Sequence, residues 1–171
     1  GSAPATPYCV DAQGCGPAWA SSLFEDAAEY GYGMLLGTTK MRERLEGAVK
    51  RCMEGKVAAE LKTALGEWLE NKDSGEKTRA LYDRLVALLE KEKDEAAAEI
   101  LRLRYYLVKR SIWSFGGDGW AYDIGCGGLD HVLASGDDIN LLVLDTEVYS
   151  NTGGQSSKAT PAAAIAQFAA S

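Results

Sequence analysis

Asp118 stands between glycines in "GGDGWAYDIG", residues 116–125, directly after the short apolar run "SIWSFGG". Gly116, Gly117 and Gly119 let backbone amides approach a ligand closely, and a carboxylate at a strand end is a hard oxygen donor suited to Mg²⁺. A metal-bound diphosphate matches that chemistry, because magnesium takes oxygen ligands in octahedral array and keeps phosphate oxygens among them. One aspartate does not complete such a shell. A second run, "LDTEVYSNTGGQSSKATP" from Leu144 to Pro161, also follows an apolar segment and is dense in oxygen donors. Asp145, Thr146 and Asn151 bring side-chain oxygens, Val148 only its carbonyl, while Gly153 and Gly154 loosen the backbone. Taken singly, an Asp between glycines is common turn chemistry. The pairing changes that: Asp118 and Thr146 are 28 residues apart (146 minus 118), which leaves room for one crossover helix and one strand.

Those elements are legible. "SIWSFGG" reads as a buried strand, "WAYDIGCGGLDHVLAS" as a helix, "INLLVLDT" as a second buried strand and "TPAAAIAQFAA" as another helix, so residues 111–171 form a βαβα unit. Apolar strands alternating with helices imply a parallel sheet, which binds ligands in the loops beyond the carboxyl ends of its strands. Both motifs lie at that edge. Upstream, "GPAWASSLFEDAAEYGYGM" reads as a loop, a short helix and a glycine stop within residues 1–37. Between them, residues 38–110 shift to Lys, Arg, Glu, Leu and Ala, with Leu61, Ala64, Leu65, Trp68 and Leu69 at helical spacing. Three helices are expected there, broken near Gly55 and at "NKDSG", the third running from Glu76 toward Arg110. Its leucines, Leu81 to Leu103, do not sustain four clean heptads, so a helical insertion packed on its own core is favoured over a coiled coil.

Composition narrows the function. The chain has 171 residues, 46% of them hydrophobic, and a formal net charge of -7. Length alone allows a single core, and the acidic balance argues against nucleic acid as a partner. No apolar stretch is long enough for a membrane span, and "GSAPATPYCV" lacks a basic segment ahead of an apolar one. Cys9, Cys15, Cys52 and Cys126 form no CxxC pair and the lone histidine is His131, which argues against a zinc site and for ordinary thiols in a reducing compartment. Cys126 is expected as a small buried hydrophobe and His131 in a packed or surface role. "SNTGGQSSKATP" carries Lys158 but not the residue order of a P-loop, so a nucleotide-phosphate reading fails. Glu147 and Lys158 read as polar loop residues or as an entry to the site.

"GGDGWAYDIG", "GGLDHVLASG" and "LDTEVYSNTGGQSSKATP" together resemble the thiamine-diphosphate-binding domain of the pyruvate:ferredoxin (flavodoxin) oxidoreductases, or pyruvate synthases, and "GSAPATPY" and "GPAWASSLFEDAAEYGYGM" resemble the same family's upstream segments. The resemblance implies an α/β, partial thiamine-diphosphate-binding fold with a helical insertion. It implies Asp118, Thr146 and the Val148 carbonyl as magnesium ligands, Gly117, Gly119 and Trp120 beside the diphosphate, and Asn151 as the catalytic residue close to the thiazolium. The implied reaction is oxidative decarboxylation of pyruvate with coenzyme A to acetyl-CoA and CO₂, with electrons passed through iron-sulfur clusters to ferredoxin or flavodoxin.

The family's habit of homodimerisation and a cytoplasmic setting, or a mitochondrion or hydrogenosome in a eukaryote, come with it. So does the expectation that the chain is a fragment, since the carboxylate that activates the aminopyrimidine and the cluster cysteines have no match in it and "AIAQFAAS" stops inside an apparent helix. Ala27 replaces the family's usual Asn, and Cys126 a larger residue. A fusion delivering electrons to NADP⁺ is the alternative within the same chemistry; a noncatalytic helical assembly module is the alternative outside it.

Overall fold

The computed structural model describes residues 10, 14, 16–18, 20–21, 25–150 and 152–166, and the backbone of 169–170. The chain divides into two compact units, Gly1–Tyr32 with Trp113–Ser171, and Gly33–Ile112. The division falls inside α1, Ala27–Glu54. This helix runs through Gly31, Gly33 and Gly37, so the expected glycine stop is absent. A helix end needs a capping residue or a left-handed turn, and none of these glycines adopts positive φ.

In the helical unit α1 is followed by α2 (Ala59–Asn71), α3 (Gly75–Leu89), α4 (Glu95–Arg102) and a 3₁₀ turn at Arg104–Tyr106. Ser74 caps α3 by accepting from Lys77 N, and Asp94 caps α4 by accepting from Ala97 N. The second cap corrects the expected long third helix. In "EKEKDE" Glu90, Lys91, Lys93 and Glu95 are exposed and Asp94 offers the backbone a new start. Apolar stripes of the helices meet in one core that includes Leu45, Val49, Leu61, Leu65, Trp68, Leu85, Leu89 and Ile100, all fully buried. Trp68 Nε1 donates to the Leu107 carbonyl at 2.8 Å. Arg42 lies over the Trp68 ring and donates to the carbonyls of Tyr106 and Lys72, its guanidinium pKa lowered by burial.

In the α/β unit β1 (Trp113–Gly116) leads through α5 (Asp118–Tyr122) and α6 (Cys126–Ser135) to β2 (Asn140–Val143). β1 and β2 are parallel, with Trp113 opposite Asn140 and Gly116 opposite Val143. The parallel βαβ unit and the α/β class are thus present. Gly31 lets α1 come down on β1: a Cβ there would lie 1.9 Å from Ser114 Oγ. Three details differ from expectation. The crossover helix is broken at Asp123–Gly125, where a Cβ on Gly125 would lie 2.6 Å from the carbonyl oxygens of both Glu25 and Trp120. The strands are only partly covered, Trp113 and Leu142 being exposed, because two strands are all that pair in this sheet among the described residues.

The last helix does not form. After the hairpin of β3 (Val148–Tyr149) and β4 (Gln155–Ser156), β5 (Ile165–Ala166) pairs antiparallel with β6 (Ala169–Ala170). Ala163 takes φ 67°, outside helical backbone, and Ile165 is exposed, so an alanine-rich segment without a packed face has little to hold a helix. Among the described residues no helix is long and apolar enough to cross a membrane.

Candidate functional site

The parallel pair delivers both motifs to one edge. Leu144 N donates to Gly116 O at 2.8 Å, extending the β1–β2 ladder to the point where each strand ends in its loop. Asp118 opens α5 one step further on and is 3% exposed. Its Oδ1 accepts from Thr146 N at 2.9 Å and lies 3.3 Å from Thr146 Oγ1, which lies 3.0 Å from the Val148 carbonyl oxygen. Its Oδ2 accepts from Ser157 Oγ at 2.8 Å. Between Thr146 and Val148 the chain turns sharply: Glu147 has φ 62°, its N donates to Asp145 Oδ1, and its carbonyl accepts from Thr160 Oγ1.

A small cleft beside this cluster is lined by Glu25, Gly117, Asp118, Gly119, Tyr149, Ser150 and Thr152. Gly119 is required on its floor, where a Cβ would stand 2.6 Å from the Tyr149 ring and 3.0 Å from Glu25 Oε1. Tyr149 is held by its hydroxyl, which donates to Asp123 Oδ2 at 2.6 Å; that carboxylate acceptor, with burial, pushes the phenol's pKa up to about 12. Lys158 Nζ stands 3.8 Å from Asp123 Oδ1. Tyr122 donates likewise to Asp145 Oδ2, and its pKa is raised by that bond first.

Of the residues singled out in the sequence, Gly117, Asp118 and Gly119 line the cleft, and beside it Thr146 meets both Asp118 and the Val148 carbonyl. Trp120 does not face the cleft. Its ring is fully buried against Gly116, where a Cβ would come within 2.1 Å of it. Asn151 lies outside the described residues, as do Cys9 and Cys15. Cys126 is exposed, against the expectation of a buried thiol, because it begins α6 on the side facing water; Cys52 is buried, and desolvation lifts its pKa to about 11. His131 is exposed and meets Tyr32 edge to face. Ser157, Tyr149 and Glu25 were missed, since a serine, a tyrosine and a lone glutamate in polar loops carry no spacing signal of their own.

The donor set fits Mg²⁺. Cis oxygen ligands about 2.1 Å from an octahedral cation lie about 3 Å apart, and the Asp118, Thr146 and Val148 oxygens are spaced at 3.3 and 3.0 Å. Asp118 is a buried carboxylate whose hydrogen-bond donors, among the described residues, are all neutral, which leaves its charge for a cation to balance. No group of three His, Cys, Asp or Glu that could hold a metal occurs among the described residues. One carboxylate with neutral oxygens leaves positions open for diphosphate.

The family model for the insertion domain of pyruvate-ferredoxin oxidoreductase matches residues 41–97, within α1 to α4. Over 99% of its length the chain is 57% identical to the pyruvate:ferredoxin oxidoreductase of Moorella thermoacetica, 56% to the pyruvate-flavodoxin oxidoreductase of Klebsiella pneumoniae and 48% to the mitochondrial pyruvate dehydrogenase [NADP(+)] of Euglena gracilis. It spans 15%, 15% and 10% of the length of these curated relatives. The chain belongs to the pyruvate:ferredoxin (flavodoxin) oxidoreductase family, within which it takes in the helical insertion and the parallel βαβ unit that follows.

Proposed function

We propose that the α/β unit holds the Mg²⁺-diphosphate end of thiamine diphosphate in an oxidoreductase that converts pyruvate and coenzyme A to acetyl-CoA and CO₂ and reduces ferredoxin or flavodoxin. The observation that carries the reading is the buried Asp118 carboxylate beside the Thr146 hydroxyl, which in turn meets the Val148 carbonyl, each pair of oxygens at a separation compatible with neighbouring octahedral ligands. Asp118, Thr146 and Val148 hold the cation. Gly117, Gly119 and the Trp120 backbone accommodate the diphosphate, Gly119 because no side chain fits between Tyr149 and Glu25. Asn151 is assigned to the thiazolium end by the family resemblance. Bound there, thiamine diphosphate supplies the carbanion chemistry of decarboxylation. The chain's own part is to hold the cation that anchors the diphosphate, and to narrow the cleft with the Tyr149 ring. Iron-sulfur clusters for the electrons and a homodimeric assembly complete the proposal for the whole enzyme.

Calorimetric titration of thiamine diphosphate, with and without Mg²⁺, tests it on the parent and on Asp118→Ala after circular dichroism confirms that both are folded. Binding is expected only when Mg²⁺ and Asp118 are both present. Equal binding by the folded variant, or in a metal chelator, would overturn the assignment.

A further inference from the structure

Three residues after the Gly153–Gly154 pair, the segment Ser157–Thr160 touches both halves of the cation site. Ser157 Oγ is 2.8 Å from Asp118 Oδ2 and accepts from Ala159 N at 3.1 Å. A carboxylate only accepts, so with one hydroxyl lone pair taken by Ala159 the serine proton is directed at Asp118. Thr160 Oγ1 repeats the logic. It accepts from Ser157 N at 2.9 Å, and its proton goes to the Glu147 carbonyl, which likewise only accepts. Thr160 N closes the turn on Ser157 O at 3.2 Å.

Each bond falls on a group whose orientation sets the ligand geometry. An aspartate carboxylate rotates easily about its last torsion, and Ser157 fixes that rotation from the oxygen that Thr146 does not use. Glu147 holds a left-handed backbone uncommon for a residue with a side chain, and the peptide it begins carries the chain into Val148. Thr160 holds that peptide.

We infer that Ser157 and Thr160 are positioning residues, a two-hydroxyl clamp that orients the Asp118 carboxylate and the Thr146–Val148 turn as one cation site. The inference rests on the magnesium reading above and adds to it the groups that set the ligand geometry. Outer partners of this kind typically cost 10- to 100-fold in metal affinity when removed.

Mn²⁺ binding in the presence of thiamine diphosphate, followed by electron paramagnetic resonance on the protein in its full-length context, tests the clamp. Ser157→Ala is expected to weaken Mn²⁺ binding by roughly 10- to 100-fold and broaden its spectrum, and Ser157→Thr, which keeps the hydroxyl, to restore both. Thr160→Val and Thr160→Ser form an independent pair with the same expected contrast, so a failure of Ser157→Ala to fold leaves the test intact. Asp118→Asn separates the two levels of the argument. If it abolishes Mn²⁺ binding while Ser157→Ala and Thr160→Val bind as the parent does, the clamp is wrong and the magnesium reading stands. Parent-like binding by Asp118→Asn sinks the magnesium reading and the clamp with it.

Discussion

In the helical unit the buried positions are leucine, isoleucine, alanine and valine with Trp68, Cys52 and Thr78, and the charges pair at the surface, Lys50 and Lys72 on Glu46, Arg44 and Arg51 on Glu99. In the α/β unit the buried cluster shrinks to Ala28, Trp120, Ala121 and Val132, and a carboxylate is buried beside it. The contrast separates two uses of burial. Apolar area removed from water stabilises the first unit at roughly 25 cal/mol per Å², whereas burying Asp118 costs free energy unless hydrogen bonds and a cation compensate. A segment that spends its interior on apolar contact has little left for chemistry; the α/β unit shows the reverse balance.

The comparison predicts where substitutions act. Trp68→Ala removes the largest buried side chain of the helical unit and its bond to Leu107 O, so a loss of about 3–5 kcal/mol in unfolding free energy is expected in urea titration. In the folded fraction Mn²⁺ affinity should stay within about twofold of the parent, because Trp68 and the cation ligands belong to different units and share no hydrogen-bond partner among the described residues, and independent sites do not couple. A folded Trp68→Ala protein that no longer bound the cation would erase the distinction between the units. Gly116→Ala is the counterpart in the α/β unit. Its Cβ would sit 2.1 Å from the fully buried Trp120 ring, and the ring must move, at a cost of about 1–3 kcal/mol. Because Gly117 and Asp118 follow directly, this variant should weaken cation binding as well as stability, the double effect that Trp68→Ala lacks.

How far the sequence reveals these units follows from the same contrast. Helical periodicity found Leu61, Ala64, Leu65 and Trp68, each of which is fully buried, since a packed helix repeats its contact every three to four residues. It failed at Asp94, where a cap decides the outcome against a continuous leucine stripe, and at Gly31, where glycine serves a close approach to Ser114 and not a stop. On the α/β side, Asp118 and Thr146 were legible from their spacing because parallel strands place successive loops at one edge. Ser157, Thr160 and Tyr149 were not. They reach the site through loop geometry across 39 residues in the case of Ser157 and Asp118, and no local pattern encodes a contact of that kind. Alanine-rich "TPAAAIAQFAA" misled for the opposite reason, since propensity suggested a helix that no packed face supports.

The finest distinction concerns Tyr149, whose hydroxyl donates to Asp123 and whose pKa rises from the ordinary 10.0 to about 12. A raised folded-state value favours the neutral phenol in the native protein. Its contribution is therefore fully present below pH 10 and is lost as pH rises through about 12. Since the residue is only partly buried, solvent screening limits the effect to about 1 kcal/mol. Unfolding free energy measured from pH 9 upward should fall more steeply in the parent than in Tyr149→Phe, and the variant should lose the highest phenolate transition seen in ultraviolet titration. Parallel stability curves for the two proteins would show that the Asp123 bond does not hold the ring against Gly119. The narrowing of the cleft would then come from the glycine contact alone, and Tyr149→Phe would leave thiamine diphosphate affinity unchanged.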